Sequence, residues 1–211
     1  MNKTNYIKKT VMLIVIITAS VAGIMTSNHY FNKTSVVNYK SLLIYPEPKT
    51  FTGFKLINKK NETITIEEFS NKWTLLFFGF TSCPDVCPTT LTELQRIYKS
   101  LEQKIPDNLP QVLFVSVDPD RDTPEVLKNY IDFFNPSFSA ATADNANLIS
   151  LTSQIGVAYI VEEHTGTDTY YNVDHTAVIF VISPEKQLFG IFPTPHNESD
   201  ITADLLQLIG H

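Results

Sequence analysis

Cys83 and Cys87 are the two cysteines of the 211-residue chain. They stand four positions apart in Phe77-Phe78-Gly79-Phe80-Thr81-Ser82-Cys83-Pro84-Asp85-Val86-Cys87-Pro88. Thiolates are soft metal ligands and good nucleophiles, and a helix N-terminus favours the ionised form through its free N–H groups and positive dipole end. The spacing Cys-x-x-x-Cys separates the sulfurs by about one helical turn, which suits two sulfurs directed at one ion. An inert disulfide is the plainer reading. It would close a short loop and stabilise little, because the entropic benefit grows with loop length. Close spacing of the two cysteines therefore points to a metal or redox pair.

The elements around the pair must deliver it. The apolar run from Trp73 to Phe80 predicts a strand covered on both faces. Thr89 to Leu101, with Leu91, Leu94, Tyr98 and Leu101 spaced by threes and fours, predicts the helix that follows. Gln111 to Val117 predicts a second buried strand. Thr123 as N-cap and Pro124 as first residue predict a helix over 124–134. Asn145 to Ile155 reads as a further helix closed by Gly156. Val157 to Val161 and Tyr170 to Val173 read as strands joined at His164-Thr165-Gly166-Thr167. Thr176 to Ile182 and Gln187 to Phe192 form a closing hairpin, and Ser199 or Asp200 caps a last helix through Ile209. Ahead of all these, Phe51 to Ile57 and Glu62 to Ile66 form a hairpin around Asn58-Lys59-Lys60-Asn61.

Strand, dithiol, helix, strand, helix, hairpin and helix is the order of an α/β, thioredoxin-like domain, here with an N-terminal β-hairpin extension. In that architecture the loop entering the penultimate strand faces the dithiol, and here it carries Asp174-His175. Cys83, Cys87 and His175 then make a three-ligand set. Soft sulfur selects monovalent copper, and an added imidazole also admits divalent copper. Zinc fits less well, since a structural zinc site takes four protein ligands. His29, His164, His196 and His211 read as solvated. Asp118, at the end of the strand beside the dithiol strand, and Asp85, between the cysteines, are candidates for supporting hydrogen bonds or charge near the site. Asp118 and Asp122 also resemble an acid pair, although capping and turn formation account for most of that stretch.

Composition sets the outer limits. The chain is 43% hydrophobic and 18% charged, which supports one folded domain with a core. A net charge of −6 with no basic patch argues against a nucleic-acid surface. Lys3, Lys8 and Lys9 precede an uncharged window from Thr10 to Asn28. That window predicts a single transmembrane helix acting as a signal anchor over 1–30, with its N-terminus cytoplasmic. A cleaved signal with Ser20-Val21-Ala22 as processing site is the alternative. Residues 31–50, polar and ending in Pro46-Glu47-Pro48, read as a tether, leaving 51–211 as the domain. Either way the domain is exported.

Three blocks together resemble the signature of the Sco/SenC family. They are Gly79 to Pro88, Val115-Ser116-Val117-Asp118-Pro119 with Arg121-Asp122-Thr123-Pro124, and Tyr171-Asn172-Val173-Asp174-His175. The resemblance runs from about Phe51 to the C-terminus. It implies a copper chaperone anchored in the cell inner membrane and facing the periplasm. Cys83, Cys87 and His175 would bind one copper ion, Cu(I) or Cu(II), for delivery to the dinuclear copper centre of cytochrome c oxidase subunit II or another copper-receiving protein. It also implies a second activity, thiol-disulfide reduction of a target protein, in which Cys83 and Cys87 would act as the redox pair and form a disulfide. A peroxidase of the same fold would want one activated thiol in a Thr-bearing pocket, and the sequence offers no match. Asn61 and Asn71 depart from the family pattern where glycines are usual, at positions where asparagine also tolerates positive φ. Phe138 to Asn147 lacks the family's glycine-containing pattern.

Overall fold

The computed structural model describes residues 12–23, 38–163, 165 and 171–210. The chain divides into two units, Met1–Asn38 and Tyr39–His211.

In the first unit, residues 12–23 form helix α1. Its apolar side chains, Met12 to Ile17 and Val21, are exposed. Thr18 Oγ1 and Ser20 Oγ donate back to the carbonyls of Ile14 and Ile16 at 3.0 and 2.8 Å. Twelve residues rise only about 18 Å. Among the described residues no helix is long and apolar enough to cross a membrane. Of the window expected to form a single transmembrane helix over 1–30, residues 12–23 are helical, and the remainder lies outside the described residues.

In the second unit, strands β1 (Leu43–Thr50), β2 (Leu56–Asn58), β3 (Thr63–Ile64), β4 (Thr74–Gly79), β5 (Gln111–Ser116), β6 (Ser139–Thr142), β9 (Ile179–Ile182) and β10 (Gln187–Phe192) form one sheet. Its order is β1-β10-β9-β4-β5-β6-β2-β3. Strand β4 sits at its centre, parallel to β5 and antiparallel to β9. A separate antiparallel pair, β7 (Tyr159–Val161) and β8 (Val173–His175), lies between β6 and β9 in sequence.

Every residue of β4 is buried, as its unbroken apolar run predicts. Leu75 and Phe77 face one core, filled by helices α2 (Val86–Lys104), α3 (Pro124–Phe134) and α5 (Glu198–Ile209). Leu76 and Phe78 face the other, filled by α4 (Asn145–Ile155) and by Phe51, Phe54 and Phe69. The sheet is therefore covered on both sides. Both α3 and α4 begin and end where the sequence places them. Thr123 and Asp144 accept from the N–H groups of Val126 and Asn147, and Gly156 closes α4 at φ 85°.

Several expectations need correction. The stretch read as a tether is folded in its last part, where 43–50 is the edge strand β1. Asp204 holds its approach by accepting the backbone N–H groups of Lys40, Ser41 and Leu42 at 2.7, 2.7 and 2.8 Å. Gly190 admits it on the sheet side, since a Cβ there would stand 2.5 Å from the Leu43 carbonyl oxygen. Pro46 and Pro48 read as linker residues, yet proline is tolerated on an edge strand, and the pairing of β1 with β10 shifts register between Ile44 and Lys49. The early hairpin exists but is shorter than expected, because Phe51 and Phe54 pack on Phe69 without strand pairing. Strand β9 begins at Ile179, and the cap of α5 is Asn197, whose side chain accepts from Asp200 N. The His196 ring, expected in solvent, is only 2% exposed, with Nδ1 3.5 Å from Glu93 Oε2. His29, His164 and His211 lie outside the described residues.

Candidate metal centre

The chain leaves β4 at Gly79, turns through Thr81 to Pro84 and enters α2 at Val86. The turn is set by Asp122, which accepts from Thr81 N at 2.9 Å, Thr81 Oγ1 at 2.5 Å and Ser116 Oγ at 2.5 Å. Burial raises the Asp122 carboxyl above the usual range, and these donors oppose it. A fixed Thr81 fixes Cys83 two residues on. The helix starts earlier than the sequence suggests, so Cys87 lies within its first turn. Asp85 occupies the cap position without a side-chain hydrogen bond of its own. Cys83 Sγ takes that role, accepting from Cys87 N at 3.4 Å.

Cys83 is half-buried and Cys87 fully buried, and both are free thiols. Cys87 Sγ packs against Gly79, where a Cβ would be 2.6 Å from the sulfur and 2.8 Å from Phe114 Cε2. The two thiols are strongly unlike. The Cys87 thiol donates to Cys83 and, with the His175 ring and the backbone N–H groups of Asp85 and Cys87, pulls Cys83 down to about 4 against the effect of burial. Cys87 is pushed far up, first by the charged sulfur beside it and then by burial. The charge of the pair is thus favoured on Cys83 and the proton on Cys87.

The expected facing loop is in fact the end of strand β8. His175 pairs with Tyr159 across the β7–β8 hairpin, and Thr176 N continues the ladder to Ala158 O at 2.9 Å. The imidazole stands edge-on to Phe77 and Phe80, with centroids 6.1 and 5.9 Å away. His175 Nδ1 lies 3.2 Å from the Thr176 carbonyl, which can only accept. With the ring proton on Nδ1 it is donated to that carbonyl, and the Nε2 lone pair then faces Cys87 Sγ at 3.3 Å. The donor atoms of Cys83, Cys87 and His175 all lie within 4.8 Å of one another. Two ligands bound at roughly 2.0–2.3 Å to one ion stand about 3.5–4 Å apart, so the three can close on a single ion with small shifts. Cys83 and His175 open onto a cleft of about 620 Å³ that Ser82, Pro84, Arg121 and Asp174 also line, with Cys87 buried behind them.

Asp118 and Asp122 share no proton-bridged carboxyl contact; each carboxylate has its own donors, and Ser116 joins the two residues by accepting from Asp118 N at 3.0 Å and donating to Asp122. Asp118, 1% exposed, accepts from Tyr171 Oη at 2.5 Å and from Arg121 Nε at 2.5 Å. The Arg121 guanidinium lies 3.6 Å from the centre of the Tyr171 ring and donates to the Tyr171 carbonyl at 3.2 Å. Asp118 thus holds the segment leading into β8, and with it the histidine, without touching the sulfurs. Asp85 is exposed and contributes a backbone N–H to Cys83. Sequence reasoning missed the Asp122 clamp, the Arg121–Tyr171 stack and the close contact of Gly79. All three lie inside the motif blocks, but only the fold shows what each residue touches.

A thioredoxin-like sheet that sets a Cys-x-x-x-Cys pair against a histidine from an opposing hairpin defines a class of thiolate–imidazole site proteins. Within that class, the SCO1/SenC family model matches residues 45–210, and the chain belongs to this family. An SCO2-like protein of Rickettsia prowazekii is 37% identical over 129 residues, covering 61% of this chain and 62% of that protein. The chain thus spans under two thirds of that relative. Solved structures agree in fold. The solution structure of apo Sco1 from Thermus thermophilus superposes with a TM-score of 0.72 at 34% identity, covering 83% of this chain and 99% of that one. The copper-bound ScoI of Bradyrhizobium japonicum superposes at 0.66 with 30% identity, covering 75% and 99%. Asn61 and Asn71, the departures from the family's glycines, adopt φ 64° and 61°.

Proposed function

We propose that this protein is a copper chaperone that carries one copper ion on Cys83, Cys87 and His175. The convergence of two sulfurs and one imidazole lone pair within 4.8 Å carries this reading, and the copper-bound relative supports the choice of metal. Thiolate and imidazole together suit copper in either oxidation state. Cys83 offers a ready thiolate at the open side, Cys87 a buried one, and His175 a lone pair whose direction the Thr176 carbonyl fixes. An incoming donor on a recipient protein can then replace one ligand at a time. The recipient we propose is the dinuclear copper centre of cytochrome c oxidase subunit II, on the strength of family membership. We place the protein at the cell inner membrane with the domain facing the periplasm. The charge-free window between Lys9 and Lys33 supports this, as do the exposed apolar side chains of α1.

A second activity has its own support. A thiol held near 4 beside a buried partner thiol is an arrangement for thiol-disulfide exchange, with Cys83 attacking and Cys87 resolving. One variant separates the two readings. Copper analysis of the reduced chain should find one ion per molecule, with binding weakened by His175→Ala and abolished by Cys87→Ser. A reduced chain that retains no copper overturns the chaperone reading. Disulfide reduction that survives His175→Ala intact, with copper binding weakened, separates the exchange activity from the metal site.

A further inference from the structure

The cleft in front of Cys83 runs along the edge of a strand. Residues 171–175, which are β8 and its approach, all line it. Their side chains alternate between two faces, so what they share on the cleft side is backbone. The ladder fixes which groups point there. Glu162 N donates to Asn172 O at 3.0 Å and Thr176 N to Ala158 O at 2.9 Å, both toward the β7 side. In an antiparallel pair the alternate residues, here Tyr171, Val173 and His175, turn their N–H and C=O groups the other way. Arg121 marks that direction: it lines the cleft, and its Nη1 donates to the Tyr171 carbonyl at 3.2 Å. Farther along the same edge, the backbone groups of Val173 and His175 have no hydrogen-bond partner among the described residues. Arg121 Nη2 is buried without one as well. The charges of the cleft are uneven. Arg121 is matched by Asp118, whereas Asp174, exposed on the outer face of β8, has no ion pair among the described residues.

We propose that the β8 edge receives an extended segment of the copper-receiving protein as an added strand, and that this segment carries a cysteine next to a lysine or arginine. An open strand edge is a template for a further strand. A segment residue level with Asp174 faces outward with it, where opposite charge is favoured. Its neighbours along the segment face inward with His175, toward the wall that holds Cys83. A cysteine there comes beside the open sulfur of the site while the adjacent cation meets Asp174. Main-chain bonds supply affinity, and these two side chains supply specificity. Arg121 Nη2 is the donor for a carbonyl at the end of the added strand. The inference rests on the copper-carrying reading for the choice of partner; the pairing itself needs no ion.

The test uses the reduced full chain, with and without Cu(I), and the synthetic peptide Ac-Thr-Val-Cys-Lys-Val-Thr-NH2. On binding, the Val173 and His175 amides should shift downfield and exchange about ten-fold more slowly. Methylating one alternate set of peptide nitrogens should weaken binding about ten-fold or more, while methylating the other set leaves it within about two-fold. Asp174→Lys should weaken this peptide several-fold and strengthen the same peptide with glutamate in place of lysine. Equal effects of the two methylated forms, or unmoved Val173 and His175 amides, overturn the added strand. So does a dimer of the unmodified chain that protects the same two amides, which gives the edge to a second copy. A chain that takes up no Cu(I) yet pairs with the peptide as described defeats the copper-carrying reading alone. A chain that takes up Cu(I) and leaves the peptide unpaired defeats the added strand alone.

Discussion

Gly79 and Cys87 are in contact so close that no side chain fits between them: a Cβ on Gly79 would stand 2.6 Å from Cys87 Sγ and 2.8 Å from Phe114 Cε2. The strand residue is the floor on which the buried sulfur rests. Since Gly79 is also the last residue of β4, the sheet itself sets the depth of that ligand.

Gly79→Ala therefore tests whether sulfur depth matters. Neither neighbour can easily yield, because Phe114 is in the core and Cys87 is in the first turn of α2. Overpacking of this kind destabilises by about 1–3 kcal/mol. Chemical denaturation should report that loss. Cu(I) competition should show a larger effect than the stability change alone implies, because the sulfur must move outward from the other two ligands. Copper affinity equal to that of the unmodified chain would refute the assigned role of the floor.

The unlike thiols predict a pH dependence. The Cys83 thiol lies well below its ordinary value, at about 4, so it is already a thiolate above that pH and releases no proton when it binds metal. Cys87 is pushed above its ordinary value and keeps its proton until metal displaces it. Copper binding between pH 7 and 9 should then release one proton, with affinity rising about ten-fold per pH unit. Near pH 7 two ordinary thiols would release close to two and give about a hundred-fold, the number falling as the pH nears their ordinary value. Calorimetry in buffers of different ionisation enthalpy counts the protons directly. In parallel, alkylation of Cys83 by iodoacetamide should stay fast down to about pH 5, whereas an unperturbed thiol would slow from pH 9 downward.

The histidine depends on a contact remote from the metal ligands. Tyr171 Oη donates to the buried Asp118 at 2.5 Å, and Arg121 lies on the Tyr171 ring. Tyr171→Phe keeps the stack and removes the hydroxyl. It leaves one Asp118 oxygen unpaired, at about 1–3 kcal/mol. The segment ahead of β8 loosens, and copper affinity should fall several-fold while Cys83 alkylation is unchanged. An imidazole NMR signal that stays sharp and unshifted in the variant would argue that the hairpin is held by other means.

Much of this was legible in the sequence because local signals and tertiary needs agreed. The apolar run from Trp73 to Phe80 reads as a doubly covered strand, and β4 takes up Thr74–Gly79 of it. Thr123 with Pro124 and Asp144 with Gly156 mark two helices by backbone chemistry alone, and both survive unchanged. Where the sequence misled, packing overrode local pattern. Ser139-Ala140-Ala141-Thr142 carries little strand propensity, yet it pairs with β5 on one side and β2 on the other. The Lys59 ammonium clamps that region by binding Asp132 Oδ1 at 2.7 Å and the Phe138 carbonyl at 2.6 Å. Strand β1 looked like a linker because its prolines face no pairing requirement there, and the residue that fastens it, Asp204, is more than 150 positions away. The three ligands could be named from motif blocks, whereas their support could not. Asp118 acts through Tyr171, and nothing in either side chain's local surroundings announces the other.

The sulfur of Cys83 also ends a helix, by accepting the Cys87 amide at 3.4 Å. Any group that bonds to this atom competes with the first turn of α2 for the same electrons. The amide of Cys87 is thereby an internal gauge: its hydrogen-exchange rate should quicken on each occasion that Cys83 is engaged, whether by an ion, a second sulfur or an alkylating reagent. A single backbone resonance could follow the traffic through the site without a label on either thiol.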